Sequence, residues 1–137
     1  MNDLPVLDPQ EPITRRSATV YEVVGPRKLL DLTEAFYHRV YADPFLRPMF
    51  PDDLEGAVER QFLFLVQFFG GPNKYTETRG HPMLRRRHFP FPIGMAERDA
   101  WLQHMLAAIA EVGIAEPEAS VMRSYFESSS LAMINKA

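Results

Sequence analysis

Residues 79–92, with the sequence R-G-H-P-M-L-R-R-R-H-F-P-F-P, limit this chain to one short helix between two breaks. Proline begins helices well but disrupts their interior, so Pro82 can open a helix and Pro90 must follow its end. The spacing predicts a helix over about residues 82–87. His88 comes four residues after Leu84, which predicts that its imidazole lies over that apolar side chain, with the Arg85 guanidinium beside it.

Two interpretations of His88 remain open at this point. In the first, the three consecutive arginines form a solvated basic edge, and His88 is a C-terminal helix residue favoured by the negative end of the helix dipole. In the second, His88 is a neutral imidazole ligand of a metal or haem iron, and a neighbouring arginine neutralises an anionic group such as a haem propionate.

The remaining chain predicts an all-α fold, because apolar residues recur at helical spacing and no alternating strand pattern competes. Residues 1–17 carry three prolines among scattered charges, which indicates an extended tail ahead of a domain over residues 18–137. Residues 70–80 read as a loop. The other helices are predicted at about residues 18–24, 28–42, 52–70, 95–112 and 117–135.

Charge and composition exclude several classes of function. The net charge of −3 provides no overall basic field for nucleic acid or an anionic membrane. Cysteine is absent, so a metal must be held by histidine or carboxylate. The amino end lacks the basic start and apolar run of a secretory signal, and no segment is long and apolar enough to span a membrane, which predicts a cytoplasmic protein.

Three polar residues fall inside apolar helix faces: Tyr37, Gln61 and Trp101. Each alone is compatible with a core residue whose polar atom finds a nearby partner. Together they come from three different predicted helices, and buried polar groups need partners. A pocket in which a hydroxyl, an amide and an indole N–H converge suits a small ligand bound to a metal.

Four stretches resemble the truncated haemoglobins of the second group. They are Phe36-Tyr37, L-E-G-A-V-E-R at 54–60, F-F-G-G-P-N-K-Y-T-E-T-R-G-H-P-M-L-R-R-R-H-F-P-F at 68–91, and E-R-D-A-W-L at 97–102. With the helices between them, the resemblance covers about residues 20–135. It implies a shortened globin in which two helices pack over two others and enclose haem b.

The resemblance also implies roles for individual residues. His88 matches the proximal iron ligand, and Tyr37, Gln61 and Trp101 match the positions that line the distal pocket. Further haem-pocket positions are matched by Phe50, Ala57, Phe64 and Leu84, and the propionate-binding set by Arg85, Tyr75 and Lys74.

Two functions are compatible with these observations. The first is a haem protein that binds oxygen, nitric oxide, carbon monoxide or peroxide, with redox turnover such as nitric oxide dioxygenation or peroxide reduction supported by an unknown reductase. The alternative is a haem-free helical domain that binds an acidic partner through Arg85, Arg86 and Arg87. Either protein is expected to be a monomer or a weak homodimer. Of the other histidines, His104, three residues after Trp101, is the competitor of His88 for the metal.

Overall fold

The computed structural model describes residues 18–136, apart from the side chain of Arg85. The predicted tail, residues 1–17, lies outside this range. The described chain contains helices and no strand, which confirms the all-α prediction. The α-helices are α1 (Val20–Val24), α2 (Pro26–Tyr41), α3 (Leu54–Phe68), α4 (Lys74–Arg79), α5 (Leu84–Arg87), α6 (Met95–Val112) and α7 (Glu118–Ala132), with a 3-10 helix at Arg47–Met49 between α2 and α3.

Helix α2 is the centre of the fold, because it packs against both α3 and α6, and α6 in turn packs against α7. Its first residue, Pro26, has the fixed φ that suits a helix start. Leu29, Leu32, Phe36 and Val40 recur at helical spacing and are at most 1% exposed. Full burial of such side chains contributes about 1.5–3 kcal/mol each. This stripe holds Tyr37, which directly follows Phe36, at a fixed place in the interior.

Helix α3 begins two residues later than predicted. The Asp53 carboxylate caps it by accepting a hydrogen bond from the Gly56 N–H at 3.0 Å. Leu54 is 39% exposed, whereas Ala57, Phe64 and Leu65 are buried. The buried face of the helix therefore begins at Ala57.

Helix α4 lies within residues that the sequence predicts as a loop. Gln67 of α3 holds it, since the Gln67 Nε2 donates to Thr76 Oγ1 at 2.7 Å and the Gln67 Oε1 accepts from the Thr76 N–H at 2.9 Å. The helix ends at Gly80, whose φ is 78°. Because of this helix, the Tyr75 side chain is buried.

Helix α1 packs against the turn between α3 and α4. The Tyr21 N–H donates to the Phe69 carbonyl at 2.9 Å. A Cβ atom at Gly70 would lie 2.6 Å from the Thr19 side chain, and one at Gly71 would lie 2.8 Å from the Tyr21 ring. Glycine at both positions therefore lets α1 pack directly on this turn.

Helix α6 begins and ends where the sequence predicts, and Gly113 ends it in the left-handed conformation with φ of 73°. Helix α7 ends at Ala132, three residues earlier than predicted. The Asn135 N–H bonds instead to the Ile93 carbonyl at 2.8 Å. Within the described residues, no helix is long and apolar enough to cross a membrane.

Candidate functional site

A cavity formed by two adjoining chambers lies between α2, α3, α5, α6 and α7. Their volumes are about 260 and 550 Å³, within or near the range of small-molecule and cofactor sites. The smaller chamber extends to Trp101 and α7, and the larger reaches Ala57 and Tyr75. Both are lined by Tyr37, Met49, Phe50, Pro51, Gln61, Phe64, Leu84, His88 and Phe91.

His88 directly follows α5, and its ring is oriented by that helix. Its Nδ1 lies 2.7 Å from the Leu84 carbonyl oxygen. A carbonyl can only accept, so Nδ1 carries a proton, and in the neutral imidazole Nε2 is then the nitrogen with a lone pair. Metal-binding histidines in proteins have this arrangement, in which the other ring nitrogen donates to a backbone carbonyl. His88 therefore lies at the cavity wall with its ring oriented as in a metal-binding histidine.

Tyr37, Gln61 and Trp101 all line the smaller chamber. Among the described residues, none of their three side chains has a protein hydrogen-bond partner within the usual distance. Burial, reinforced by nearby Tyr41, raises the pKa of Tyr37 above its ordinary value, so the phenol keeps its proton. The chamber thus presents a hydroxyl, an amide and an indole N–H that lack protein partners, and a polar ligand would satisfy them.

Aromatic packing fixes the relative positions of these groups. The Phe36 ring makes edge contacts with Tyr37 at a centroid distance of 5.1 Å and with Trp101 at 5.2 Å. Trp101 also packs edge-on against Phe126 of α7, and Tyr37 against Phe50, at 5.9 and 5.8 Å. One row of rings therefore holds side chains from α2, α6 and α7 around the chamber.

The four predicted haem-pocket residues also lie on the cavity. Phe50, Phe64 and Leu84 line both chambers, and Ala57 lines the larger one. The small Ala57 side chain is 4% exposed and leaves the adjacent space open. These residues give the cavity broad apolar walls suited to a flat apolar ring system.

The predicted propionate residues have different surroundings. Tyr75 is buried and lines the larger chamber. Lys74 is exposed, lies off the cavity wall and pairs with Glu77 at 3.4 Å. The side chain of Arg85 lies outside the described part of the structure, so its role stays a prediction.

Three guanidinium groups that were not predicted to line the haem cavity do line the larger chamber: Arg60, Arg79 and Arg87. Arg87 is held by the Pro82 carbonyl at 2.6 Å and the Arg79 carbonyl at 3.0 Å. No aspartate or glutamate is among the described residues that line this chamber. Its rim is therefore cationic and suits acidic groups on a ligand. Arg60 directly precedes Gln61 on α3. This adjacency is the sequence signal by which Arg60 could have been predicted to lie near the cavity.

Asn135 secures the segment that carries His88, and it too was missed from sequence. Its Oδ1 accepts from the Ile93 N–H at 2.8 Å, and its Nδ2 donates to the carbonyls of Phe91 at 2.8 Å and His88 at 3.2 Å. The Lys136 N–H adds a bond to the Ile93 carbonyl at 3.2 Å. The residues after α7 thus hold residues 88–93 against the fold.

His104, the competing histidine, is engaged elsewhere. Its Nε2 lies 2.8 Å from Asp43 Oδ2, and it does not line either chamber. His38 is exposed on α2, and the exposed His81 lies in the turn before α5. Of the described histidines, His88 is the one on the cavity wall.

These residues fit haem better than a bare metal ion. The described chain contains no group of three or more histidine, aspartate or glutamate side chains that could hold a metal ion, whereas zinc sites take three or four protein ligands. A porphyrin supplies the other ligands of its iron and needs a single histidine. Its apolar ring suits the cavity walls, and its carboxylates suit the cationic rim.

Comparison with known proteins identifies the family. The bacterial-like globin family matches residues 19–135. A group 2 truncated haemoglobin of Bacillus subtilis is 49% identical over 94 residues, which cover 69% of this chain and 71% of the relative. The crystal structure of haemoglobin from the thermophilic phototrophic bacterium Chloroflexus aurantiacus is 55% identical, with a TM-score of 0.86, and the match covers 88% of this chain and 100% of that chain.

A truncated oxygen-avid haemoglobin from Bacillus subtilis, also solved by X-ray crystallography, is 42% identical with a TM-score of 0.83. That match covers 86% of this chain and 100% of the other. These likenesses confirm the two-over-two helical fold predicted from the sequence. The chain belongs to the bacterial-like globin family, as a group II truncated haemoglobin that binds small ligands by means of haem.

Proposed function

We propose that the cavity holds haem b with His88 Nε2 as the protein ligand of the iron, and that oxygen binds beside Tyr37, Gln61 and Trp101. The hydrogen bond from His88 Nδ1 to the Leu84 carbonyl carries this proposal, because it leaves Nε2 free to bind a metal. Haem, when bound, supplies the iron at which a small ligand binds. The same hydrogen bond fixes the orientation of the histidine ring.

Replacement of the histidines tests the proximal assignment. We expect His88→Ala to lose the Soret band of protein purified from haem-replete cells, and His104→Ala to keep it, because His104 pairs with Asp43 away from the cavity. The reverse pattern would show that His104 is the ligand. A wild-type protein without any Soret band would favour the haem-free alternative.

The three unpartnered side chains donate hydrogen bonds to the ligand in this proposal. Oxygen on ferrous haem carries partial negative charge, and donors held away from water stabilise such charge strongly. The oxygen-avid Bacillus subtilis protein with the same fold supports oxygen as the ligand. Nitric oxide and carbon monoxide fit the same chamber, but carbon monoxide is less polar when bound and depends less on the donors.

Single replacements test the donors. If each contributes about 1–2 kcal/mol, then Trp101→Phe, Tyr37→Phe and Gln61→Leu each speed oxygen dissociation by roughly 5- to 30-fold. We expect Trp101→Phe to have the largest effect, since an indole N–H can only donate. The three effects should not add, because the groups lie around one chamber. Wild-type release rates in all three variants would refute the assignment.

The cationic rim holds the haem propionates in this proposal. Arg60, Arg79 and Arg87 line the larger chamber together with the buried Tyr75, so guanidinium donors face carboxylates there. Two of the Arg87 donors already bond to the Pro82 and Arg79 carbonyls. Arg85 and Lys74 keep this role as predictions from sequence.

Redox turnover is a further part of the proposed function. Nitric oxide dioxygenation, which yields nitrate, and peroxide reduction both require a reductase to return electrons to the iron. Mixing the oxygen-loaded protein with nitric oxide in a single turnover distinguishes them, because stoichiometric nitrate supports dioxygenation and its absence refutes it.

We also propose that residues 18–137 form the globin domain. The protein is a monomer or a weak homodimer in this proposal, and analytical sedimentation measures its oligomeric state.

A further inference from the structure

A basic surface formed by Arg79, Arg86 and Arg87 surrounds the short helix α5. All three residues are exposed. The sequence contains no aspartate or glutamate between Glu77 and Glu97. With Arg85, the segment carries four arginines, and subtracting them from the net charge of −3 leaves −7 for the rest of the chain. The charge of the protein is therefore strongly asymmetric.

The arginines of the basic surface differ from most other cations of the protein. Elsewhere, Arg39 pairs with Glu111 at 2.8 Å and Arg123 with Glu116 at 2.6 Å. Further pairs are Arg27 with Asp31, Arg47 with Asp52, Lys74 with Glu77, Arg98 with Asp99 and Lys136 with Glu97. Among the described side chains, no carboxylate lies within 4.0 Å of Arg79, Arg86 or Arg87.

The haem propionates of the proposed function neutralise only part of this charge. They carry two negative charges, whereas Arg60, Arg79 and Arg87 bring three positive charges to the chamber rim. Arg86 is exposed and does not line either chamber. Positive charge therefore remains on the outside of α5 after the cavity is filled.

Exposed apolar side chains accompany this charge. Phe89 is 56% exposed, Met83 44% and Phe91 39%. Aromatic residues, methionine and arginine are the side chains enriched in protein interfaces. Nucleic acid fits less well, because an extended polyanion would pass from this surface onto a chain that is otherwise negative.

We propose that the basic surface binds the acidic face of a small electron-donating protein. This inference rests on the proposed function and identifies the kind of reductase that it needs. The negative remainder of the chain repels an acidic partner from other faces, so the partner is steered to α5. Arg87 is adjacent in sequence to His88, the proposed iron ligand, so a protein bound here lies beside the haem site.

Binding of an acidic plant-type [2Fe–2S] ferredoxin in its oxidised form tests the inference. Isothermal titration or NMR measures its Kd with wild-type protein, Arg86→Glu and the control Arg27→Glu. The two variants change net charge equally, and Arg27 is an exposed residue on α2 whose side chain is 82% accessible. We expect Arg86→Glu to weaken binding by about tenfold or more and Arg27→Glu by less than about twofold.

Three results would overturn the inference: no ferredoxin binding at low salt, equal weakening in both variants, or preferential binding of a single-stranded oligonucleotide. Raising the salt from 20 to 200 mM should weaken wild-type binding, since exposed charges are screened. The Soret band of each sample separates the two proposals. Protein that lacks haem yet binds ferredoxin through Arg86 would refute the proposed function and retain the docking surface.

Discussion

Replacing Asn135 with alanine should loosen the attachment of the segment that carries His88. The variant loses the three side-chain hydrogen bonds to residues 88–93, while the backbone bonds from positions 135 and 136 to Ile93 can remain. Because the Asn135 side chain is exposed, each bond belongs at the low end of its usual value, about 0.5 kcal/mol. Their total of about 1.5 kcal/mol corresponds to roughly tenfold faster haem loss.

The rate of haem loss is measured by the absorbance change as haem transfers to excess apomyoglobin. Asn73→Ala is the matched control, because Asn73 is an exposed asparagine whose side chain makes no capping hydrogen bond. Asn135→Asp keeps the oxygen that accepts from Ile93 but sets a carboxylate oxygen against the Phe91 and His88 carbonyl oxygens, so we expect no rescue relative to Asn135→Ala. Haem loss in Asn135→Ala within twofold of wild type would refute the idea that this side chain positions the segment.

Three further predictions concern other parts of the chain. The hydrogen bond from His104 lowers the pKa of Asp43 most, and the bond from the Phe45 N–H lowers it further. A carboxyl whose pKa is lowered by folding stabilises the protein above its ordinary pKa of about 3.8, and this stabilisation is lost as the pH falls. Asp43→Asn should therefore have a lower free energy of unfolding than wild type at pH 7, as measured by urea denaturation. The difference should shrink below pH 4, and a difference that stays constant with pH would contradict this explanation. Met83 has a φ of 43°, which is energetically unfavourable for a residue with a Cβ atom. Met83→Gly should therefore raise the Tm by about 2–4 °C. A lower Tm would contradict backbone strain at this position. Deleting residues 1–15, which carry little apolar area to bury, should leave the haem spectrum and the oxygen dissociation rate unchanged; a several-fold change in either would show that the tail reaches the pocket.

The helices predicted well from sequence are those with strong boundary signals. Helix α6 lies between two glycines, and its predicted bounds match the structure. Helix α4 was missed because its six residues include two threonines, which favour helices weakly, and because it depends on Gln67 from another helix. Apolar residues surround much of α3, so periodicity alone does not select its buried face.

Some of the cavity residues could be predicted from the sequence and others could not. Polar residues within apolar faces indicated a chamber, and the structure brings Tyr37, Gln61 and Trp101 to its wall. Neither periodicity nor spacing could select His88 as a ligand, and the family resemblance supplied that role. Asn135 could not be found by either route, since its partners lie more than 40 residues away.

The close contact between α1 and the glycine turn also determines the order in which these parts can fold. A helix of five residues is unstable alone, because the cost of nucleating it exceeds the gain from so few hydrogen bonds. Helix α1 therefore becomes stable only when the turn at Gly70 and Gly71 is formed and Tyr21 can bond to Phe69. During synthesis, α1 leaves the ribosome before that turn does, so this helix becomes stable only after the more C-terminal turn has formed.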